Sequence, residues 1–174
     1  MTAMKTMVLD VGFPQASGAE FSPDGRYRYT LWRIWDPKKP VVLFLLLNPS
    51  TADEFRLDPT LTRCRNYAKK WGYGGMLVGN IFALRSTDPR DLYRAEDPVG
   101  PENDRKILEM IGKAETTVVG WGSHGKLMGR GEAVLRMVPH PFALGLNSDG
   151  TPKHPLYLPG SAVPKEIGAS AEHA

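Results

Sequence analysis

The chain has 174 residues, 41% hydrophobic and 24% charged, with a formal net charge of +3 and an isoelectric point near 9.0. This is the composition of one globular domain with a core of its own, and no apolar run reaches the roughly 20 residues needed to span a bilayer. The surplus positive charge permits an anionic partner, although proteins that grip duplex DNA are often more basic.

In chain order, Met1 to Met7 contains a lysine with no apolar stretch behind it, so no signal peptide is expected. A single cysteine, Cys64, allows no internal disulfide and fits a reducing, cytoplasmic compartment. One domain is expected over residues 1–174, with residues 1–18 and the Gly/Ala-rich end from Gly168 irregular.

Ser22-Pro-Asp-Gly25 signals a turn, followed by an aromatic and β-branched strand from Arg26 to Trp35. After the turn at Asp36–Pro40, the unbroken apolar run Val41–Leu47 reads as a strand buried on both faces. Asp58 then caps a helix, worth about 1 kcal/mol, with Pro59 at its first position. Leu61, Cys64, Ala68 and Trp71 share its apolar face, which makes the thiol of Cys64 a packing group. Gly72 ends the helix.

The alternation continues. Met76–Leu84 reads as a second buried strand, and Asn103 as the cap of a helix whose apolar face is Ile107, Leu108 and Ile111. Thr116–Trp121 is a third strand. Lys126–Val138 is a helix weakened by Gly129 and Gly131, at roughly 1 kcal/mol each. Phe142–Leu146 is a short fourth strand. The expected fold is therefore α/β, a three-layer sandwich around a central, mostly parallel four-stranded sheet, with an N-terminal antiparallel strand or hairpin. In such sheets ligands bind beyond the carboxyl ends of the strands.

Small polar residues gather at those ends. Asn48, held by Pro49, follows the first buried strand with Ser50, Thr51 and Asp53; turn formation accounts for Ser50 and Thr51 equally well. Asn80 interrupts the second, where an amide without partners costs about 1–3 kcal/mol, so it bonds backbone or faces a ligand. Arg85 suits phosphate or carboxylate, or else a salt bridge to Asp88. Gly120-Trp-Gly-Ser-His-Gly-Lys126 nearly matches a phosphate-binding loop, but Leu127 stands where that loop needs a hydroxyl. His154, between Pro152 and Pro155, can donate a hydrogen bond or transfer protons. His140 is expected at the opposite end of the sheet. The histidines lack metal-ligand spacing, so no metal or other cofactor is expected.

These motifs resemble one family throughout. Leu47-Asn-Pro-Ser-Thr-Ala-Asp53, Asp58-Pro-Thr with Arg63-Cys-Arg65, Asn80 to Pro89, Pro98 to Asp104 and His154 to Pro159 are similar to a bacterial and phage family of unknown function, number 1643. A second resemblance is to the uracil-DNA glycosylase-like superfamily. It implies that Asn48-Pro49 positions an attacking water, that Asn80 reads the base, and that His154-Pro155 stabilises the departing base. Trp121 and His124 correspond to its tryptophan-glycine turn and would help bind substrate. Leu46 stands where that superfamily has glycine, and Leu156 where it has serine. Three functions follow as expectations. One is hydrolysis of an N-glycosidic bond, with Arg63, Arg65 and Arg85 touching phosphate. A second is non-catalytic binding of a nucleotide or nucleic acid. The third is nucleotide binding at Gly120–Lys126.

Overall fold

The computed structural model describes residues 16–168. Seven strands form one sheet: β1 (Ser17–Phe21), β2 (Arg28–Ile34), β3 (Val41–Leu46), β4 (Gly75–Asn80), β5 (Thr116–Val119), β6 (Pro141–Ala143) and β7 (Lys165–Glu166). Their order is β1-β2-β4-β3-β5-β6-β7. The sheet is thus seven-stranded and mixed, where a mostly parallel sheet of four with an N-terminal antiparallel strand or hairpin was expected; β1 and β2 form that hairpin. Parallel pairing is confined to β4, β3, β5 and β6, while β1, β2 and β7 extend the two edges antiparallel.

The unbroken apolar run of β3 is explained by what covers it. Val42, Phe44 and Leu46 face α1 (Pro59–Lys70), packing with Leu61, Cys64 and Ala68. Leu43, Leu45 and Leu47 face the other way, toward Ile107 and Met110 of α3 (Asn103–Lys113) and Val134 of α4 (Arg130–Leu135). Helices cover both faces, so neither set of alternating side chains meets water. A short α2 (Arg90–Arg94) lies between β4 and α3. No helix of the described residues is long and apolar enough to cross a membrane.

Several boundaries differ from the sequence expectation. Ser17 and Gly18, placed in an irregular N-terminus, belong to β1; residues 1–15 and 169–174 lie outside the described residues. The strand expected to run to Leu84 ends at Asn80, because Ala83 and Leu84 turn their amides to the carbonyls of Val99 and Pro98. Asn103 does not cap α3. It is fully buried, and its Nδ2 donates to the carbonyls of Asn80 (2.8 Å) and Ile81 (3.2 Å), stitching the helix start to the end of β4. Leu108, assigned to the apolar face of that helix, is 53% exposed. The fourth buried strand shrinks to Pro141–Ala143, since Gly145 and Leu146 pair with the returning chain at Lys153 and Pro152.

The largest departure lies at Lys126–Val138, expected as one helix. Ser123–Gly129 forms 3-10 turns broken at Met128 (φ 58°) and Gly129 (φ 62°), and regular helix covers Arg130–Leu135 alone. Two glycines here, Gly125 and Gly131, make room for Trp121. A Cβ on Gly131 would lie 2.7 Å from the indole nitrogen, and one on Gly125 would strike the same ring. They serve packing.

Candidate functional site

The carboxyl ends of the four parallel strands point one way, and the loop carrying His154 packs against the ends of β5 and β6. Gly122 N–H donates to the carbonyl of Pro152 and Lys153 N–H to that of Gly145, both at 2.8 Å. From the α1 side, Tyr67 Oη donates to the carbonyl of Pro159 (2.7 Å) and Trp71 Nε1 to that of Ala162 (3.2 Å). The loop is strapped at both flanks. Gly120, at the end of β5, is the contact point: a Cβ there would meet the Lys153 carbonyl oxygen at 2.9 Å and Pro155 Cδ at 3.2 Å. Gly120→Ala should therefore shift the His154 loop. We expect the imidazole resonances to move in an NMR spectrum whose core signals stay in place; an unmoved imidazole would break this link between strand end and loop.

His154 is half-buried, and its Nδ1 accepts from the backbone N–H of Leu156 at 3.3 Å. Burial pushes its pKa below 6.5, against an opposing pull from Asp58. The ring is thus neutral at pH 7. Because Nδ1 is the acceptor, the proton sits on Nε2, which has no partner among the described residues. A neutral imidazole offering a fixed N–H is built to meet negative charge that develops during a reaction.

Asp58 caps α1 through Leu61 N–H at 2.9 Å, as expected. Its carboxylate also acts on Cys64 within the helix and on Arg28 and His154 beyond it. Asp58→Asn keeps an acceptor for the cap and removes the charge. The His154 pKa should then fall further, read from its ring resonances across a pH titration; no movement would mean that the two do not interact.

Beneath the loop between β3 and α1 lies a residue that sequence reasoning missed. Arg28, 2% exposed, enters from β2, and its two terminal nitrogens donate to the Ala52 carbonyl (3.1 Å) and Asn80 Oδ1 (3.4 Å). Its Nε is buried without a partner, and no described carboxylate lies within salt-bridge distance. Burial lowers its pKa to about 10, with the charge of Asp58 opposing. Asn80 is buried as well, at 2% exposure, and Arg28 fixes its amide: Oδ1 is taken, and Nδ2 has no acceptor among the described residues. Through Asp58 and Arg28, His154 and Asn80 belong to one neighbourhood on the α1 side of the sheet.

The remaining expected residues are placed differently. Asn48 is half-buried; its Nδ2 donates to the carbonyls of Pro49 (3.2 Å), Leu84 (3.3 Å) and Ser86 (3.0 Å), stapling the loops after β3 and β4. Its Oδ1 accepts from no described group. Ser50 and Thr51 stand half-buried and exposed beside it. Asp53 caps its own turn through Phe55 and Arg56 N–H, both at 2.8 Å, which lowers its pKa. Arg85 does not pair with Asp88, which binds Arg90 instead; it donates to Gly25 carbonyl (3.0 Å) and covers the Phe21 ring. Trp121 is core, at 4% exposure, and lines a cavity of about 340 Å³. His124 pairs with Tyr93 Oη at 3.0 Å on the surface. Arg63 and Arg65 lie along α1, away from Arg85. His140 precedes β6 at the opposite end, where it meets Glu166.

Lys126 is bound to Asp149 at 3.2 Å, and no regular helix follows its loop directly. The geometry that cradles phosphate, successive amides opening a helix, is not formed at Gly120–Lys126. Cys64 is buried, and burial pushes its thiol well above the ordinary value. It is inert packing, as expected.

Residues 28–156 match the model of a family described as "Protein of unknown function (DUF1643)". The chain belongs to that family. No curated protein and no solved structure matches it. The matched span begins on Arg28 and closes just after His154, so the DUF1643 region contains Asn48, Asp58, Asn80 and His154. β1 and β7, the two outermost strands of the sheet, fall outside it.

Proposed function

We propose that this DUF1643 protein hydrolyses the N-glycosidic bond of a base, in nucleic acid or in a nucleoside derivative, at the carboxyl end of its sheet. The observation that carries this reading is His154, held neutral with its Nε2–H free. In the reaction a water oxygen bonds to the sugar C1′ as the bond from C1′ to the base nitrogen breaks. The bonding electrons leave on the base, where His154 Nε2–H stabilises them, and the water's surplus proton passes to the departing base or to solvent. Asn48 Oδ1 orients the water, its amide already immobilised by three carbonyls. The negative charge of Asp58 favours the cationic character that grows on the sugar. As written, the reaction uses no cofactor. The free, buried thiol of Cys64 fits a cytoplasmic setting.

Asn80 supplies selectivity. With Oδ1 occupied by Arg28, the amide presents Nδ2 as a donor, so a base edge carrying a carbonyl is favoured over one carrying an amino group. A flipped base would recover here part of the few kcal/mol that extrusion costs.

The test is incubation with labelled single- and double-stranded oligonucleotides bearing uracil, hypoxanthine, xanthine or modified pyrimidines, followed by alkali. Strand scission at the marked base is the expected result. Binding without scission at long incubation would favour a second reading, a non-catalytic nucleotide or nucleic-acid binder. The specific observation behind that reading is Asn48, whose nitrogen is wholly engaged in joining loops and which lacks the basicity of a carboxylate.

A further inference from the structure

Two grooves run along the N-terminal half of α1. One, of about 510 Å³, is lined by Arg33, Phe55, Arg56, Leu57, Thr62 and Arg65, among others. The other, of about 520 Å³, includes Leu57, Asp58, Thr62, Arg63 and Leu156. They share Leu57 and Thr62, so they form one track. It begins at the tip of the His154 loop and passes the helix start to reach β2.

Four arginines without a carboxylate partner gather along this track. Arg90, Arg94, Arg105 and Arg130 are each paired with a carboxylate. Arg33, Arg56, Arg63 and Arg65 have no such partner among the described residues. Arg33 donates to the carbonyls of Trp32 and Asp53, and Arg65 to Asn66 Oδ1, with its Nε buried and unpartnered. The single carboxylate in the lining is Asp58, at the His154 end. Nearby, Asp53 accepts from backbone amides and its charge acts on Arg33 and Arg56, while Glu54 stands close enough to act on Arg33. Amid these cations Phe55 is 83% exposed, and Leu156 is 38% exposed at the far end.

We propose that this track binds a single nucleic-acid strand, the arginines contacting its phosphates and Phe55 stacking on a base. Cations alone would accept any polyanion. A bare aromatic ring set among them selects one whose repeating unit carries a flat π-face. The track ends where the His154 loop begins, so a bound strand leads a nucleotide to the rim. This builds on the reading of that rim given above and narrows the substrate from a free nucleoside to a polymer. It also assigns the phosphate contacts to Arg56, Arg63 and Arg65 rather than to Arg85, whose guanidinium is engaged by the Gly25 carbonyl and the Phe21 ring.

The experiment is fluorescence anisotropy with a labelled single-stranded 20-mer, a duplex of the same sequence and heparin as competitor, across a salt series. The full chain should prefer the single strand. Its affinity should fall with salt, with a slope of about −0.7 per phosphate neutralised. Arg56→Ala and Arg63→Ala should each weaken binding and reduce that slope by about 0.7. Phe55→Ala should weaken it roughly tenfold with the slope unchanged, and Glu54→Gln should tighten it. Preference for duplex, slopes unmoved by both arginine substitutions, or heparin competition with no effect of Phe55→Ala would each overturn the proposal. The two readings can fail separately. Strand binding without base release keeps the track and rejects the hydrolase. Base release from free nucleosides without strand binding does the reverse.

Discussion

His154→Ala is expected to slow base release about 100- to 1,000-fold, the usual loss when one preorganised donor to a developing negative charge is removed. Binding of the substrate strand should change by no more than a few-fold, because the charge His154 meets is absent from the ground state. Single-turnover rates beside anisotropy measurements separate the two. Equal losses in rate and binding would make His154 a binding residue. The pH profile carries a second signature. Burial sets the His154 pKa below 6.5, so the neutral donor, and with it activity, should persist into mildly acidic solution and fail at lower pH. Stability follows the same window. Between the folded pKa and the ordinary value of 6.5 the unfolded chain binds more protons than the folded one. The contribution of His154 is therefore fully present above that window and is lost as pH falls through it.

Arg28→Ala should be the most damaging single change to stability. It opens a cavity beneath the β3–α1 loop and leaves the Ala52 carbonyl and Asn80 Oδ1 without their donor. Truncating a buried side chain of this size and orphaning buried acceptors together cost about 3 kcal/mol or more. For a chain of this length that lowers Tm by roughly 6–12 °C. Arg28→Met is the more informative variant. It keeps much of the volume, gives up a buried charge that no described carboxylate pairs with at salt-bridge distance, and frees the Asn80 amide to turn over. The expected outcome is a fold at least as stable as that of Arg28→Ala, with discrimination between carbonyl- and amino-bearing bases reduced. Discrimination equal to wild type would mean that Arg28 does not set the orientation of Asn80.

The sequence displayed the sheet more clearly than the site. Val41–Leu47 announced a strand buried on both faces because helices cover both, and Asp58-Pro59 marked the start of α1 to the residue. Local signals of this kind depend on a few neighbouring residues. Gly129 and Gly131 read only as weakening a helix over Lys126–Val138, whereas Gly131, like Gly125, makes way for the distant Trp121 ring and Gly129 supplies a left-handed turn. Asn103 looked like a cap, being a good capping residue at a helix start, yet its amide is drawn inward to two β4-end carbonyls. Arg28 was hidden in a strand whose other arginines, 26 and 33, reach solvent at least in part; nothing nearby marks the one that is buried. Asp58 was visible, but only as a cap. Its action on Arg28 and His154 depends on residues 30 and 96 positions away meeting across the fold.

The most direct measurement is free base released from a uracil- or hypoxanthine-bearing single strand, quantified by mass spectrometry for wild type, Asn48→Ala and His154→Ala side by side. The account predicts release by wild type, with both variants reduced to background while still binding the strand. Undiminished release by His154→Ala, or no release by a wild-type protein that binds the same strand, would contradict it.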